Sequence, residues 1–336
     1  MKNNSNSEAL RRMGIDVRSY AQCCRDASRQ PDPRDLYRGL WHEGELTALY
    51  ADTNVGKSIL AVQIGVEVAR KGIRTLYVDL EMTDKGIEKR SRRDDGTIYD
   101  FPDNLVRLTL DASRLLENAP EDIAIDMDDN GFWVLDMIEC AARQTDCTAI
   151  IIDNITSLCS GIETGDTAVK LVNRLLKMRN ENHWSILFLA HTPKLDKTMP
   201  ITRDSMAGSK RVISLIDSAF AIGEPFMCDD KSLRYIKQTK VRLDECRYHE
   251  NNVMVCRIER VDGLLQFVEA GYGREMDLLK MHKGGASAQL SQTDVEILEA
   301  FDNGFRICEI VEMLGVTREK VRYVTGKHRP GLSNRP

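Results

Sequence analysis

From about residue 40 onward the chain alternates short apolar runs with segments whose apolar residues recur every three to four positions. The short runs are ELTALYA, TLYVDLE, NLVRLTL, TAIIIDNI and WSILFLAH, beginning at Glu45, Thr75, Asn104, Thr148 and Trp184. Runs that are apolar on both faces predict strands buried on both sides. Helical spacing fills the gaps, over about 57–71, 132–144 and 167–180. Strand and helix in alternation predict an α/β fold, a mostly parallel twisted sheet covered by helices. After Ile213 the texture changes to SAFAIGE, LRYIKQTKV, VMVCRIER and LLQFVEA, joined by polar turns. These predict further strands that extend the sheet at one edge.

The two ends of the chain read differently. Residues 1–35 are polar and carry Arg11, Arg12, Arg25, Arg29 and Arg34, which predicts a flexible or weakly helical leader. Residues 282–291 are small and polar, as in a linker. Three short helical patterns follow over 292–336, forming a small all-α tail. The core domain is therefore expected over 36–281.

Composition narrows the function classes. Of 336 residues 47 are Lys or Arg and 52 are Asp or Glu, giving a net charge of -5. That excludes a wholesale basic coat for nucleic acid but leaves room for local basic patches. No run of about 18 apolar residues is present, so no membrane contact is expected. Nine cysteines without a C-x-x-C pair argue against a zinc site or a disulfide framework and for a reducing cytoplasm.

The strongest chemical signal is Ala51-Asp52-Thr53-Asn54-Val55-Gly56-Lys57-Ser58. It has Walker A spacing, with Ala51 in place of the first glycine, and sits between a predicted strand and a predicted helix. Backbone N–H groups of such a loop and the positive end of the helix surround phosphates. Asp52 through Ser58, with Ile59, are the candidate nucleotide-binding residues. Lys57 would neutralise β/γ-phosphate charge and Ser58 would hold Mg²⁺. Asp153 ends an apolar strand in the Walker B form and is the second candidate Mg²⁺ ligand. Glu81 and Asp79 compete as the carboxylate that activates water. His191 and Thr192 close another strand, where an imidazole either reports on the γ-phosphate or stabilises a turn.

In that order, ADTNVGKS, LYVDLEM, AIIIDNI and LAHT resemble the RecA-like P-loop ATPases. The branch is the one holding DnaB-type and plasmid RepA-type hexameric helicases and the RadA/KaiC-like proteins. The likeness covers roughly 36–270, or 235 of 336 residues. It implies ATP with Mg²⁺ as ligands, Glu81 rather than Asp79 as the water-activating residue, and a homo-oligomeric ring, a hexamer in the helicase branch. It also implies a Lys-x-Arg pair offered to a neighbour's γ-phosphate. Lys240 and Arg242 fill that pattern, unless they are simply the wet side of a strand. The loop after His191 would face DNA through Lys194, Lys197, Arg203, Lys210 and Arg211, unless those charges are only solvated. No counterpart of the large N-terminal domain of DnaB-type replicative helicases is expected, so the resemblance implies ATPase activity more directly than processive fork helicase activity.

The tail resembles a helix-turn-helix. Val295, Ile297, Leu298 and Phe301 share helical spacing, Gly315 suits a tight turn and Thr317 can cap the last helix. Arg318 and Arg322 are the candidates for base edges, with Lys320, Lys327 and Arg329 completing a basic end. A three-helix bundle for protein contact is the alternative. The expectation is an ATP-driven DNA helicase or translocase for replication of a plasmid-like element. The alternatives are an ATP-switched DNA-binding regulator and a recombination accessory ATPase.

Overall fold

The computed structural model describes residues 13–110, 132–158, 165–192, 196–206, 210–226, 228–280 and 292–328. The chain divides into two compact units, Met1–Lys280 and Met281–Pro336. The first unit holds a nine-stranded sheet and its helices. Its strands are β3 (Leu46–Ala51), β4 (Thr75–Asp79), β5 (Leu105–Leu108), β6 (Ala149–Asp153), β7 (Ser185–His191), β8 (Ser218–Gly223), β9 (Leu233–Lys240), β10 (Val253–Val261) and β11 (Leu264–Gly273). A separate two-stranded ribbon joins β1 (Asp35–Tyr37) and β2 (Trp41–His42).

The spatial order is β11-β10-β9-β8-β3-β7-β6-β4-β5. The pairs from β8 to β5 are parallel, and the pairs β8–β9, β9–β10 and β10–β11 are antiparallel. The edge extension predicted from the runs after Ile213 is therefore antiparallel. Connections of nine, twelve and two residues join these strands, with no crossover helix among the described residues, so each strand reverses the direction of the one before it. Every run predicted as a strand forms one.

Successive residues of a central strand alternate between two cores. On β3, Leu46, Ala48 and Tyr50 face one core, and Leu49 and Ala51 the other. On β6, Ile150 and Ile152 face the first, Ala149 and Ile151 the second. This is why the central strands read as unbroken apolar runs. Helix α2 (Lys57–Arg70) covers the second core with Leu60, Ile64 and Val68. Helices α4 (Trp133–Gln144) and α5 (Gly165–Asn182) cover the first with Leu135, Ile138, Leu171 and Leu175. Before the sheet, α1 (Tyr20–Ala27) buries none of its residues. Among the described residues the unit also has three shorter helices, α3 (Asp84–Arg90), α6 (Lys210–Leu215) and α7 (Glu275–Leu279).

The second unit contains α8 (Gln292–Asp302), α9 (Ile307–Leu314) and α10 (Arg318–His328). They pack around Ile297, Leu298, Phe301, Ile310, Val321 and Val324. Gly315 takes a left-handed conformation (φ 62°) just past α9. The Thr317 hydroxyl accepts from the Lys320 N–H at 3.2 Å, the capping role expected of it. The predicted linker 282–291 lies outside the described residues.

Candidate functional site

Parallel strands bring their carboxyl ends to one side of the sheet, where ligands of open α/β sheets collect. β3, β4, β6 and β7 deliver Lys57, Glu81, Asp153 and His191 to that side. The 51–58 loop leaves β3 and enters α2 through Asn54 (φ 63°) and Gly56 (φ 113°), both in the left-handed region. At Gly56 the conformation and the space agree. An added Cβ would lie 3.0 Å from both Ile258 Cδ1 and Phe267 Cζ, on the antiparallel extension. That extension therefore forms the back wall of the loop. Arg234 on β9 strengthens the wall, donating from Nε to the Val55 carbonyl at 2.9 Å.

Lys57 is buried, and its Nζ donates to the Ala51 and Asp52 carbonyls at 2.9 Å each. The same Nζ lies 3.1 Å from His191 Nδ1. Burial lowers the Lys57 pKa, and Asp153, Asp52 and Glu81 oppose that shift. His191 is also pushed below its ordinary value, by burial and then by the Lys57 charge. The ring beside Lys57 is therefore neutral near pH 7.

The two strand-end acids separate cleanly. Asp79 and Asp153 stand opposite one another in the β4–β6 register. Asp79 is buried and committed to structure. It accepts from the Arg107 guanidinium at 3.1 Å and from the Glu81 and Met82 N–H groups at 3.2 and 2.9 Å. Glu81, two residues beyond β4, is exposed and accepts from Asn154 Nδ2. Asp153 accepts from the Tyr77 hydroxyl at 2.7 Å and also bonds the Ser58 side chain. Burial raises its pKa, Tyr77 and Ser58 pull it back, and Glu81 and Asp79 raise it further. A buried carboxylate beside a hydroxyl is a hard-oxygen pair that suits Mg²⁺. Among the described residues no group of three or more His, Cys, Asp or Glu could hold a metal alone. A Mg²⁺ ion at Ser58 and Asp153 would take its other ligands from phosphate and water, as this ion usually does.

Beside Ser58 and Asp153 lies a cavity of about 280 Å³ with largely apolar walls. Ile59 and Val62 on α2, Ile87 on α3, Phe101, Leu105 and Leu264 at the start of β11 line it. Nothing in the sequence pointed to this cavity, because its walls come from five separated segments. Arg234 and Asn154 were also missed. Arg234 is remote in sequence from the loop it holds, whereas Asn154 directly follows Asp153 and was open to suspicion on that ground.

The remaining candidates lie elsewhere in the first unit. Lys240 donates to the Ile213, Ser214 and Ile216 carbonyls at 2.6, 3.1 and 2.7 Å, closing the C-terminal end of α6. Arg242 pairs with Asp217 at 2.8 Å, and Asp217 accepts the Leu46 N–H at the start of β3. Both therefore lie toward the end of the sheet opposite the 51–58 loop of the same chain. Lys197 pairs with Glu224, Arg203 donates to the Thr239 carbonyl, and Arg211 pairs with Asp166. The backbone at Ile201 and Thr202 is clamped. Thr202 accepts from the Tyr50 hydroxyl, while the buried Lys237–Glu275 pair holds both backbone groups of Ile201. Lys194 lies outside the described residues, and for Lys210 only the backbone is described.

In the second unit Arg318 and Arg322 are exposed on α10, and Lys320 is half-buried. The side chain of Lys327 and all of Arg329 lie outside the described residues. Among the described residues no helix is long and apolar enough to cross a membrane.

No curated protein matches the chain. A family model described as an AAA domain matches residues 17–197, which spans β1 to β7 and with them Lys57, Glu81, Asp153 and His191. That match covers more than half of the sequence, and the chain belongs to this family of P-loop ATPases.

Proposed function

We propose that the chain is an ATP-driven DNA motor, a helicase or translocase of a plasmid or other mobile element, working as a homo-oligomeric ring. One observation carries the ATPase part: four strand ends bring a lysine, a hydroxyl paired with a buried carboxylate, an exposed glutamate and a histidine around one loop. Triphosphate would lie along the N–H groups of 52–59, with Lys57 against the β/γ-oxygens. Mg²⁺ held by Ser58 and Asp153 would supply charge neutralisation at the phosphates. Glu81, at the open side of the site, would take the proton of the attacking water. His191 would register the γ-phosphate through its contact with Lys57. The nucleobase would enter the apolar cavity beside Ile59 and Val62, which the phosphate position leaves within reach.

Lys240 and Arg242 would complete the site of an adjacent subunit, where an arginine stabilises developing phosphate charge. DNA contact is assigned to Lys194, Lys197, Arg203, Lys210 and Arg211 on the loop after β7. A second contact is assigned to Arg318, Lys320, Arg322, Lys327 and Arg329 on a helix-turn-helix. Pairing of Lys197 and Arg211 with acids leaves that loop weakly basic in one chain, so its contacts would be salt-sensitive and sequence-independent.

The exposed arginines on α10 favour a second reading, an ATP-switched DNA-binding regulator in which the bundle chooses a site. Hydrolysis and strand displacement measured with single-stranded, duplex and no DNA separate the two. The motor requires ATPase stimulated by single strands together with unwinding. Site-specific duplex binding without unwinding would leave the regulator.

A further inference from the structure

Asn154 touches both Glu81 and His191, and neither the sequence nor the family match assigns it a role. It is 1% exposed. Its Nδ2 donates to Glu81 Oε1 and lies 3.3 Å from His191 Nε2, and its Oδ1 accepts from the Thr156 hydroxyl. Chemistry sets the amide orientation: an ionised carboxylate only accepts, so nitrogen must face Glu81. His191 thus has a donor on each side, Asn154 Nδ2 at Nε2 and the Lys57 ammonium at Nδ1. A neutral imidazole accepts at only one nitrogen. The ring serves Lys57 or Asn154 but not both at once.

We propose that Asn154 is the positioning residue of Glu81 and that it transmits to this carboxylate which donor His191 has taken. The inference rests on the assignment of Glu81 as the group that activates water. A γ-phosphate that draws the Lys57 ammonium frees His191 Nδ1. The single ring proton then settles on Nδ1 by exchange with water, and Nε2 accepts from Asn154. The amide is then held by His191, Thr156 and Glu81 together, and the carboxylate is fixed. With Lys57 turned to the ring, that hold is weaker. Glu81 is thereby aimed when phosphate is within reach of Lys57.

The test uses the purified full chain with Asn154→Ala, Glu81→Gln and the double variant. Asn154→Ala should lower kcat for ATP by about tenfold or more while KM and the affinity for a fluorescent non-hydrolysable ATP analogue stay within about threefold. The loss should vanish in the Glu81→Gln background, because the two residues act as one unit. An ATP affinity that falls as much as kcat, or an equal loss in the Glu81→Gln background, overturns the proposal. Unchanged kcat in Glu81→Gln alone would instead remove the assignment beneath it, whatever Asn154→Ala does. Should Asn154→Ala fail to fold, Thr156→Val keeps the amide and removes only its hydroxyl support. It should show a smaller kcat loss of about threefold at constant affinity, and unchanged kcat there is also disproof.

Discussion

At the scale of single residues, position relative to a strand end decides the chemistry. Asp79 and Glu81 are two residues apart, yet one is buried under Arg107 and the other reaches open space. Spacing alone left both as candidates. The difference lies in Arg107, contributed by β5, whose partner could not be read from the sequence. His191 carries a consequence for pH. Its pKa is held below the ordinary histidine value by burial and by Lys57. An unfolded chain therefore binds this proton more readily than the folded one, and stability falls as pH drops. The contribution is fully present above about pH 6.5 and is lost as pH falls toward the lowered value. Asp153, raised by burial, works in the opposite sense at lower pH and does not cause that loss. Thermal unfolding between about pH 7.5 and 5.5 should show a smaller fall in midpoint for His191→Gln than for the parent chain. Equal falls would show that the ring titrates normally.

At the scale of elements, the sequence was legible wherever burial was two-sided or strictly periodic. Ala149 to Asp153 read as a covered strand and is one, and of the four residues read as the inner face of a helix, Leu60, Ile64 and Val68 enter the second core while Val66 packs with Tyr99 and Leu264. Functional geometry assembled by distant elements was not legible. The wall behind Gly56 is made by Ile258 and Phe267, about two hundred residues away. The apolar cavity joins α2, α3, the segment at Phe101 and the start of β11. If this cavity seats the base, filling it should block binding without disturbing the sheet. Val62, half-buried on α2, lines it. Val62→Trp should weaken nucleotide affinity by about tenfold or more with an unfolding midpoint within a few degrees of the parent. Titration with a fluorescent ATP analogue reads the first quantity, and unaltered affinity would place the base elsewhere.

At the scale of the whole molecule, Arg242 and the 51–58 loop occupy opposite ends of β3. Asp217 links Arg242 to the start of the strand at Leu46, and Ala51 ends it. Five residue steps of extended chain separate them by roughly 17 Å, too far for an arginine to reach its own phosphate site. If Arg242 acts in catalysis, it acts on another copy. Subunits carrying Arg242→Ala, mixed with subunits carrying Glu81→Gln, should then recover part of the ATPase that each lacks alone. Mixtures that stay inactive at every ratio would show that Arg242 serves only its ion pair with Asp217.

That separation has a further result for how such a protein behaves in a cell. If Arg242 completes the site of another copy, a lone molecule would be a poor catalyst, and turnover per chain would climb steeply with abundance. Dilution alone would silence it, and fuel would be burned only where many copies gather.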